Sequence, residues 1–159
     1  MADVTFLSSQ PRFKPFSAQD LAFLGKVCEE RSLKAGKDIY QQDAEEEVTA
    51  VFFVKTGTVS LHKAMDGKDR ELGKLSVGEF FGESSLISPA PHSLTVRAET
   101  DVTLVFFDQH AYETLQKDSP ATAFKVLDVF IVGLVERLRE ADARLITKFK
   151  KEGAAPAAT

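Results

Sequence analysis

One stretch of the sequence, from Gly78 to Ile87, combines residue types that suit a phosphorylated sugar. Two glycines, Gly78 and Gly82, flank a glutamate and two phenylalanines, and Glu83 then opens a short run of small residues. Glycines allow a ligand to approach the backbone closely, and free N–H groups at the start of a helical turn attract anions. An ionised glutamate only accepts hydrogen bonds, so it suits a sugar hydroxyl. These residues predict a site for a phosphate joined to a sugar, as in a nucleotide.

A second stretch, from Pro91 to Val96, contains the residues that would complete such a site. A phosphate favours a cation beside it, and the candidate here is His92. Histidine is mostly neutral at pH 7 unless its pKa is raised, so its charge depends on its surroundings. Ser93 follows directly and offers a hydroxyl donor. The sequence therefore predicts an ionised carboxylate, Glu83, on one side of the site and a titratable cation, His92, on the other.

The two stretches together resemble the phosphate-binding cassette of cyclic nucleotide-binding domains, the sensor fold of the catabolite-activator family, cyclic-nucleotide-regulated kinases and gated channels. That cassette has roughly the pattern Phe-Gly-Glu, a short helix, then Pro-Arg-Ala/Ser-x-Thr-Val. The matching residues in this sequence are Phe81, Gly82, Glu83, Pro91, Ser93, Thr95 and Val96. The resemblance extends from about Phe16 to about Phe149 and includes the Asp66-Gly67 turn.

The resemblance implies cyclic AMP or cyclic GMP as the ligand, no other cofactor, and a role for each cassette residue. Glu83 would hold the ribose 2′-hydroxyl, and the N–H groups of Ser84 and Ser85 would face the phosphate. In relatives, polar residues of the last helix reach the base, and the candidates here are Glu136, Arg137, Arg139, Glu140 and Arg144. The predicted ligand-binding residues are Phe81, Gly82, Glu83, Ser84, Ser85, His92 and Ser93.

His92 lies where the family has an arginine that clamps the phosphate. Arginine offers a permanent charge and two parallel donors, and a charge-assisted hydrogen bond contributes roughly 1.5–3 kcal/mol. Its loss is expected to weaken binding on the order of 10- to 100-fold or more. Arg97 is a poor substitute, since an odd offset along a strand points it to the opposite face. Three outcomes stay open: cyclic-nucleotide binding, a pocket for a different ligand, and a pocket with no physiological ligand.

Composition limits the class of protein. The chain has 159 residues and a net charge of −4, which favours one globular domain that does not bind nucleic acid directly. The single cysteine, Cys28, is predicted to pack on the apolar face of a helix. No signal peptide is recognisable, and the longest apolar run, Val126 to Val135, is too short to span a bilayer. We therefore expect a cytoplasmic protein without a membrane partner.

The pattern of apolar residues and turns predicts a mainly β fold with flanking α-helices. A first helix is expected from the Ser17 cap to about Glu30, and short β-prone runs separated by turns fill the segment from Arg31 to Asp108. Many short strands favour a sandwich or a jelly-roll barrel rather than a parallel sheet. The family resemblance implies the second of these, an antiparallel β jelly-roll barrel or double-stranded β-helix. A short helix capped by Asp108 and a long C-terminal helix from Pro120 to about Lys150 complete this prediction.

The last helix is more apolar than packing on a barrel requires. One set of its residues follows helical spacing and is expected to pack on the barrel: Phe124, Leu127, Ile131, Leu134, Val135, Leu138, Leu145, Ile146 and Phe149. A second set, Val126, Val129, Phe130 and Val132, would then be exposed and predicts a homodimer through this helix. The alternative is that the leader covers these residues with Phe6, Phe13 and Phe16.

The domain boundaries expected are a leader at 1–14, a cyclic-nucleotide-binding-like domain at 15–151 and a flexible tail at 152–159. No pattern for an enzyme or a metal site is present, because the three histidines are far apart and Gly82–Leu86 lacks the second glycine of a serine-hydrolase elbow. The main prediction is a non-catalytic sensor that relays ligand occupancy through the last helix. The alternatives are a ligand-independent dimerisation or interaction module, and the sensor half of a transcription regulator lacking its DNA-binding domain.

Overall fold

The computed structural model describes residues 2–44, 49–88 and 90–153. Two short 3-10 helices, Thr5–Ser9 and Pro11–Phe13, precede the main elements. The strands in the described residues are β1 (Glu29–Leu33), β2 (Asp38–Tyr40), β3 (Ala50–Thr56), β4 (Val59–Met65), β5 (Lys68–Leu75), β6 (Phe80–Phe81), β7 (Thr95–Ala98) and β8 (Val102–Asp108). The helices are α1 (Ala18–Val27), α2 (Glu83–Ile87), α3 (Gln109–Asp118) and α4 (Pro120–Gly153).

The strands form two four-stranded antiparallel sheets, in the orders β1-β8-β3-β6 and β2-β7-β4-β5. This is the strand order of a jelly roll, so the predicted fold class is confirmed. Strand β3 is apolar on both faces because each face is covered. Val51 and Phe53 face a cluster shared with the helices, whereas Phe52 and Val54 face the space between the sheets.

The predicted boundary of the first helix was wrong. We expected α1 to reach about Glu30, but it ends at Val27, and Glu29 to Leu33 pairs along β8 instead. Pairing across the sheet thus overrides the local preference of this segment. Cys28 is the residue that follows α1, and burial raises the pKa of its thiol to about 12.

A buried polar cluster fastens α1 to the start of α4. Ser17 caps α1 in a capping box with Asp20, as the sequence predicted for the cap. Asp20 also accepts hydrogen bonds from Thr122 and from Lys125 Nζ, both at 2.6 Å. Burial alone would raise the pKa of Asp20, but these donors outweigh it and lower that pKa. The first turns of α4 are therefore held in a fixed position beside the barrel.

The two faces of α4 are largely the reverse of those predicted, although Val132 is exposed as expected. Val126, Val129 and Phe130, which we expected to be exposed, are buried in the cluster that joins α4 to the barrel. The leader contributes to the same cluster with Phe13 and Leu7. Most residues of the predicted packing stripe are instead exposed, namely Phe124, Ile131, Leu134, Val135, Leu138, Leu145, Ile146 and Phe149.

Gly133 explains how closely α4 can approach the barrel. A Cβ at this position would lie 2.4 Å from the buried ring of Phe80, so only glycine allows the contact. In the described part of the chain, no helix has the length and hydropathy needed to cross a membrane. Residues 154–159 of the predicted tail lie outside the described residues.

Candidate functional site

The first cassette stretch lies at the end of β6, where a sharp turn leads into α2. Gly82 makes that turn with φ +86°, a conformation that favours glycine. A Cβ on Gly82 would lie 2.3 Å from the carbonyl oxygen of Ala50 on the neighbouring strand β3. Two features therefore require glycine at position 82, namely its backbone conformation and its close approach to Ala50. Both place Glu83 next to the barrel wall.

A cavity of about 270 Å³ opens beside this turn. Its size is at the lower end for small-molecule sites. All seven ligand-binding residues predicted from the sequence line it, so the fold brings the two cassette stretches together. Among the other lining residues, Pro91 had been matched to the cassette and Arg137 was one of the five candidates on the last helix. The sequence analysis did not assign the rest to the site: Tyr40, Leu61, Leu75, Ser88, Ala90 and Leu94.

Glu83 is the most unusual group in the cavity wall. Its side chain is only 3% exposed, and Oε1 accepts a hydrogen bond from Arg137 Nη1 at 2.7 Å. The other oxygen, Oε2, is buried and has no hydrogen-bond partner among the described residues. A buried oxygen without a donor is costly, and native proteins rarely leave one in that state. Glu83 is therefore a candidate to accept a hydrogen bond from a ligand hydroxyl.

Arg137 connects the cavity to α4. Besides Glu83, its guanidinium donates to the carbonyl oxygen of Phe80 and lies 4.8 Å from the centroid of that phenylalanine ring. The sequence contains five polar residues on the last helix that were candidates to reach the ligand, and it gave no basis for choosing among them. The choice depends on which face of α4 meets the barrel, and periodicity alone assigned that face wrongly.

The two serines of α2 have different surroundings. Ser85 is buried, and both its N–H and its hydroxyl donate to the carbonyl oxygen of Gly82, at 3.2 and 2.8 Å. Ser84 is exposed at the cavity edge. The expectation that both amides face a phosphate stays a prediction, and it is better supported for Ser84, whose amide takes no part in the hydrogen bond between Ser85 and Gly82.

His92 lies on the opposite wall, in the loop before β7. Its ring stacks on that of Tyr40 with 3.7 Å between centroids and 11° between planes. Backbone contacts hold the loop, because the His92 carbonyl accepts from the Asp43 amide and the Ser93 carbonyl accepts from Lys63 Nζ at 2.6 Å. Burial raises the pKa of Tyr40, with a further contribution from Glu83 that Arg137 opposes, so Tyr40 keeps its proton near neutral pH.

Arg97 does not contribute to the cavity, as its position along the strand predicted. Its guanidinium pairs with Asp38 at 2.7 Å and with Asp69 at 3.3 Å, and it is absent from the cavity lining. These two carboxylates raise the pKa of Arg97 further. Arg97 thus stabilises the second sheet and cannot replace an arginine at position 92.

A second polar group lies near Arg97. His62 Nε2 is 2.9 Å from Ser60 Oγ, and His62 Nδ1 is 3.2 Å from Asp69 Oδ2. This order of groups is that of a hydrolase triad, but Ser60 is 0% exposed and cannot meet a substrate in this structure. Within the described ranges, no three His, Cys, Asp or Glu side chains are placed to hold a metal ion.

Comparison with known proteins agrees with this geometry. The model of the cyclic nucleotide-binding domain family matches residues 30–119. The cyclic AMP receptor protein of Thermus thermophilus is 29% identical over 141 residues, which cover 87% of this chain and 62% of that protein. A cAMP-dependent protein kinase regulatory subunit of Mycosarcoma maydis is 32% identical over 93 residues, 58% of this chain and 17% of that protein.

Solved structures show the same architecture. A cyclic nucleotide-binding domain from Methylobacillus flagellatus superimposes with a TM-score of 0.78 at 21% identity, over 84% of this chain and 74% of that one. The chain spans less than two thirds of each of the two relatives named above. The match of the family model to more than half of the sequence, together with the fold and the cassette, places this chain in the cyclic nucleotide-binding domain family.

Proposed function

We propose that the cavity between Glu83 and His92 binds a cyclic nucleotide, or a related small anionic sugar phosphate, and that the chain acts as a sensor of it. The observation on which this depends is Glu83, which lines the cavity and whose buried Oε2 has no hydrogen-bond donor among the described residues. A ribose hydroxyl supplies the missing donor. Two relatives support cyclic AMP, since one is a receptor for it and the other belongs to a kinase that depends on it.

The opposite wall is proposed to meet the phosphate. His92, Ser93 and Ser84 lie around the cavity and offer donors without a second buried carboxylate beside them. Because His92 replaces a permanent cation by a titratable one, affinity is expected to be lower than with arginine and to depend on pH. The lining does not distinguish adenine from guanine, so both cyclic nucleotides belong in the test.

Arg137 is proposed to relay occupancy to α4. It is bound to Glu83 and to the backbone of β6, while the next residue, Leu138, is exposed on the far side of the helix. A ligand that engages Glu83 and Arg137 better in one position of α4 shifts the helix toward that position. The exposed apolar side chains of α4 favour a homodimer as the output of that shift.

Calorimetric titration of the chain with cyclic AMP and with cyclic GMP tests the proposal. Heat of binding is expected for at least one of them, and Glu83→Gln is expected to weaken it by about 10-fold or more, because the amide replaces a charged acceptor. Glu113→Gln is the matched control, since Glu113 is an exposed carboxylate on α3, away from the cavity. It should bind like the wild type.

Two results would contradict the proposal in different ways. Absence of binding by both nucleotides at millimolar concentration would leave the ligand-independent interaction module as the better account. Binding that Glu83→Gln does not change would place the ligand outside this cavity.

A further inference from the structure

Tyr40, on β2, contacts both walls of the cavity. On one side its ring stacks on that of His92, with 3.7 Å between the two ring centroids and 11° between the planes. On the other side its centroid lies 5.9 Å from that of Phe81 and 6.3 Å from that of Phe52, which are both buried between the sheets. Because Phe81 directly precedes Gly82, Tyr40 connects the loop with His92 to the turn that opens α2.

The stack covers one face of the His92 imidazole. The ring nitrogens of histidine carry their hydrogens in the plane of the ring, so an anion that binds His92 approaches its edge and not its face. An imidazole that is free to rotate about its side-chain bonds would present that edge in only some of its rotamers. Stacking on Tyr40 therefore restricts the orientation of the imidazole without using any of its N–H donors.

The same stack favours the protonated form of His92. A cation within about 6 Å of an aromatic ring centroid is attracted to the face of that ring, and the imidazole is well inside this limit. Protonated His92 gains this attraction, whereas the neutral form keeps only the contact between two uncharged rings. Burial raises the pKa of Tyr40, with a further contribution from Glu83, so Tyr40 itself stays uncharged near neutral pH.

Charged groups of other elements also influence the protonation of His92. Carboxylates favour its charged form and cations oppose it. The charged groups among the described residues that line the cavity or hold the loop are Glu83 of α2, Arg137 of α4, Lys63 of β4 and Asp43, which follows β2. All of them remain when Tyr40 is replaced, so a difference between variants at position 40 reports on the ring at that position.

We propose that Tyr40 is a positioning residue for His92, which holds the imidazole by stacking and stabilises its protonated, anion-binding form. This inference rests on the proposed function, because an anion in the cavity is what the charged imidazole would bind. It adds to the phosphate side of the site a residue that the sequence analysis did not assign to it. It also links the protonation of a loop residue to the packing of the barrel, since Tyr40 packs on Phe52 and Phe81.

Proton NMR of the imidazole Cε1–H groups, recorded without ligand from about pH 5 to about pH 9, tests the effect on protonation. Tyr40→Leu and Tyr40→Met remove the aromatic face and should each lower the titration midpoint of His92 by about half a pH unit. Tyr40→Phe keeps the face and should keep the wild-type midpoint. His92→Gln identifies the signal of His92, and the exposed His110 on α3 is the internal reference that none of these changes should move.

Calorimetric titration of the same variants with cyclic AMP and with cyclic GMP tests the consequence for the ligand. Affinity of the wild type is expected to rise toward acid, and in Tyr40→Leu this rise should move to lower pH by about the same half unit. Tyr40→Phe should restore the wild-type profile. In a His92→Gln background, Tyr40→Leu should change affinity by less than about 2-fold, because no imidazole is left for Tyr40 to position.

The outcomes separate this inference from the function on which it rests. An unchanged His92 midpoint in both Tyr40→Leu and Tyr40→Met overturns the role of Tyr40 and leaves nucleotide binding untouched. A further loss of affinity on replacing Tyr40 in the His92→Gln background overturns it as well, since Tyr40 would then act on the ligand directly. Absence of nucleotide binding contradicts the proposed function, whereas a lowered His92 midpoint, measured without ligand, still supports the stabilisation of protonated His92 by Tyr40.

Discussion

The two walls of the cavity are built in different ways. The wall with Glu83 belongs to the barrel and to α4. It contains a buried carboxylate, a glycine in the left-handed backbone conformation that packs against Ala50, and an arginine hydrogen-bonded to β6. The wall with His92 is a half-buried loop, held by backbone contacts and by one stacked ring. The first is fixed by packing, whereas the second is held by hydrogen bonds to its backbone carbonyls from Asp43 and Lys63 and by the ring of Tyr40.

This difference separates two tasks of a sugar-phosphate site. The acceptor for the sugar belongs to the rigid wall, where a change disturbs the fold as well as the ligand. The group for the anion belongs to the loop, where residues can change with little effect on stability. On the proposed function, His92 in place of the family's arginine is therefore expected to alter affinity and pH dependence while the architecture around Glu83 stays intact.

Among the substitutions that test the difference between the two walls, Gly82→Ala is expected to lower the free energy of unfolding most. The left-handed φ of +86° alone costs about 1–2 kcal/mol for alanine, and the Cβ would also lie 2.3 Å from the carbonyl oxygen of Ala50. We expect the free energy of unfolding to fall by about 3 kcal/mol or more, measured by urea denaturation. Gly36→Ala is the matched control, with φ +81° and no atom within 4 Å.

For Gly36→Ala, the free energy of unfolding should fall only by the cost of the left-handed backbone conformation, about 1–2 kcal/mol. Equal losses in the two variants would mean that the close approach to Ala50 does not fix the rigid wall, and that the two walls are more alike than we infer.

Arg137→Met should have the next largest effect on the free energy of unfolding. It removes the cation beside a buried carboxylate and a donor to the Phe80 carbonyl, while the apolar stem is kept. Because the Arg137 side chain is more than one third exposed, we expect the free energy of unfolding to fall by about 2 kcal/mol, which is less than the loss on breaking a fully buried ion pair. A thermal melt should show the midpoint lowered by about 4–8 °C.

Arg144→Met is the control for this change. Arg144 lies two turns further along α4, is 71% exposed and makes an ion pair at 3.6 Å with Glu140. Its replacement should change the free energy of unfolding by no more than about 0.5 kcal/mol. A similar midpoint for both variants would show that Arg137 does not join α4 to the rigid wall.

The sequence predicted most of this architecture because its signals are local. Turns such as Asp66-Gly67 and short β-prone runs were enough for the jelly roll, and the cassette located Glu83 and His92 before any contact was known. Both stretches line the cavity in the structure. Their residue types are recorded in a local pattern, although the contacts that position them, from Ala50, Arg137, Asp43 and Lys63, come from distant parts of the chain.

The errors concern features that depend on distant contacts. The face of α4 was assigned by periodicity, but Val129 and Phe130 face the barrel because Gly133 lets the helix approach Phe80. Arg137 could not be chosen from its neighbours for the same reason. The first two residues of β1, Glu29 and Glu30, were assigned to the end of α1, since the pairing of β1 with β8 joins residues more than 60 positions apart.

His92→Arg changes the loop wall and should affect the ligand more than the fold. A permanent charge with two parallel donors is expected to raise affinity for a cyclic nucleotide by about 10-fold or more, measured by calorimetry. Stability should change little, because the loop is held by backbone contacts of His92 and Ser93 that the substitution keeps. Unchanged or weaker affinity would mean that the phosphate does not lie beside residue 92.

The pH dependence of wild-type binding is the smallest effect and the sharpest test of the loop wall. Protonated His92 binds an anion better than neutral His92, so the ligand raises its pKa and affinity should grow as pH falls from about 8 to about 6. The titratable and charged groups that also line the cavity are Tyr40, Glu83 and Arg137, and Tyr40, whose pKa is raised, keeps its proton throughout this range. The gain should be a few-fold, since one histidine changes charge, and His92→Gln should bind with a flat profile. A wild-type profile as flat as that of His92→Gln would show that the charge of His92 plays no part, and that the loop wall holds its ligand through the hydroxyl and amide donors alone.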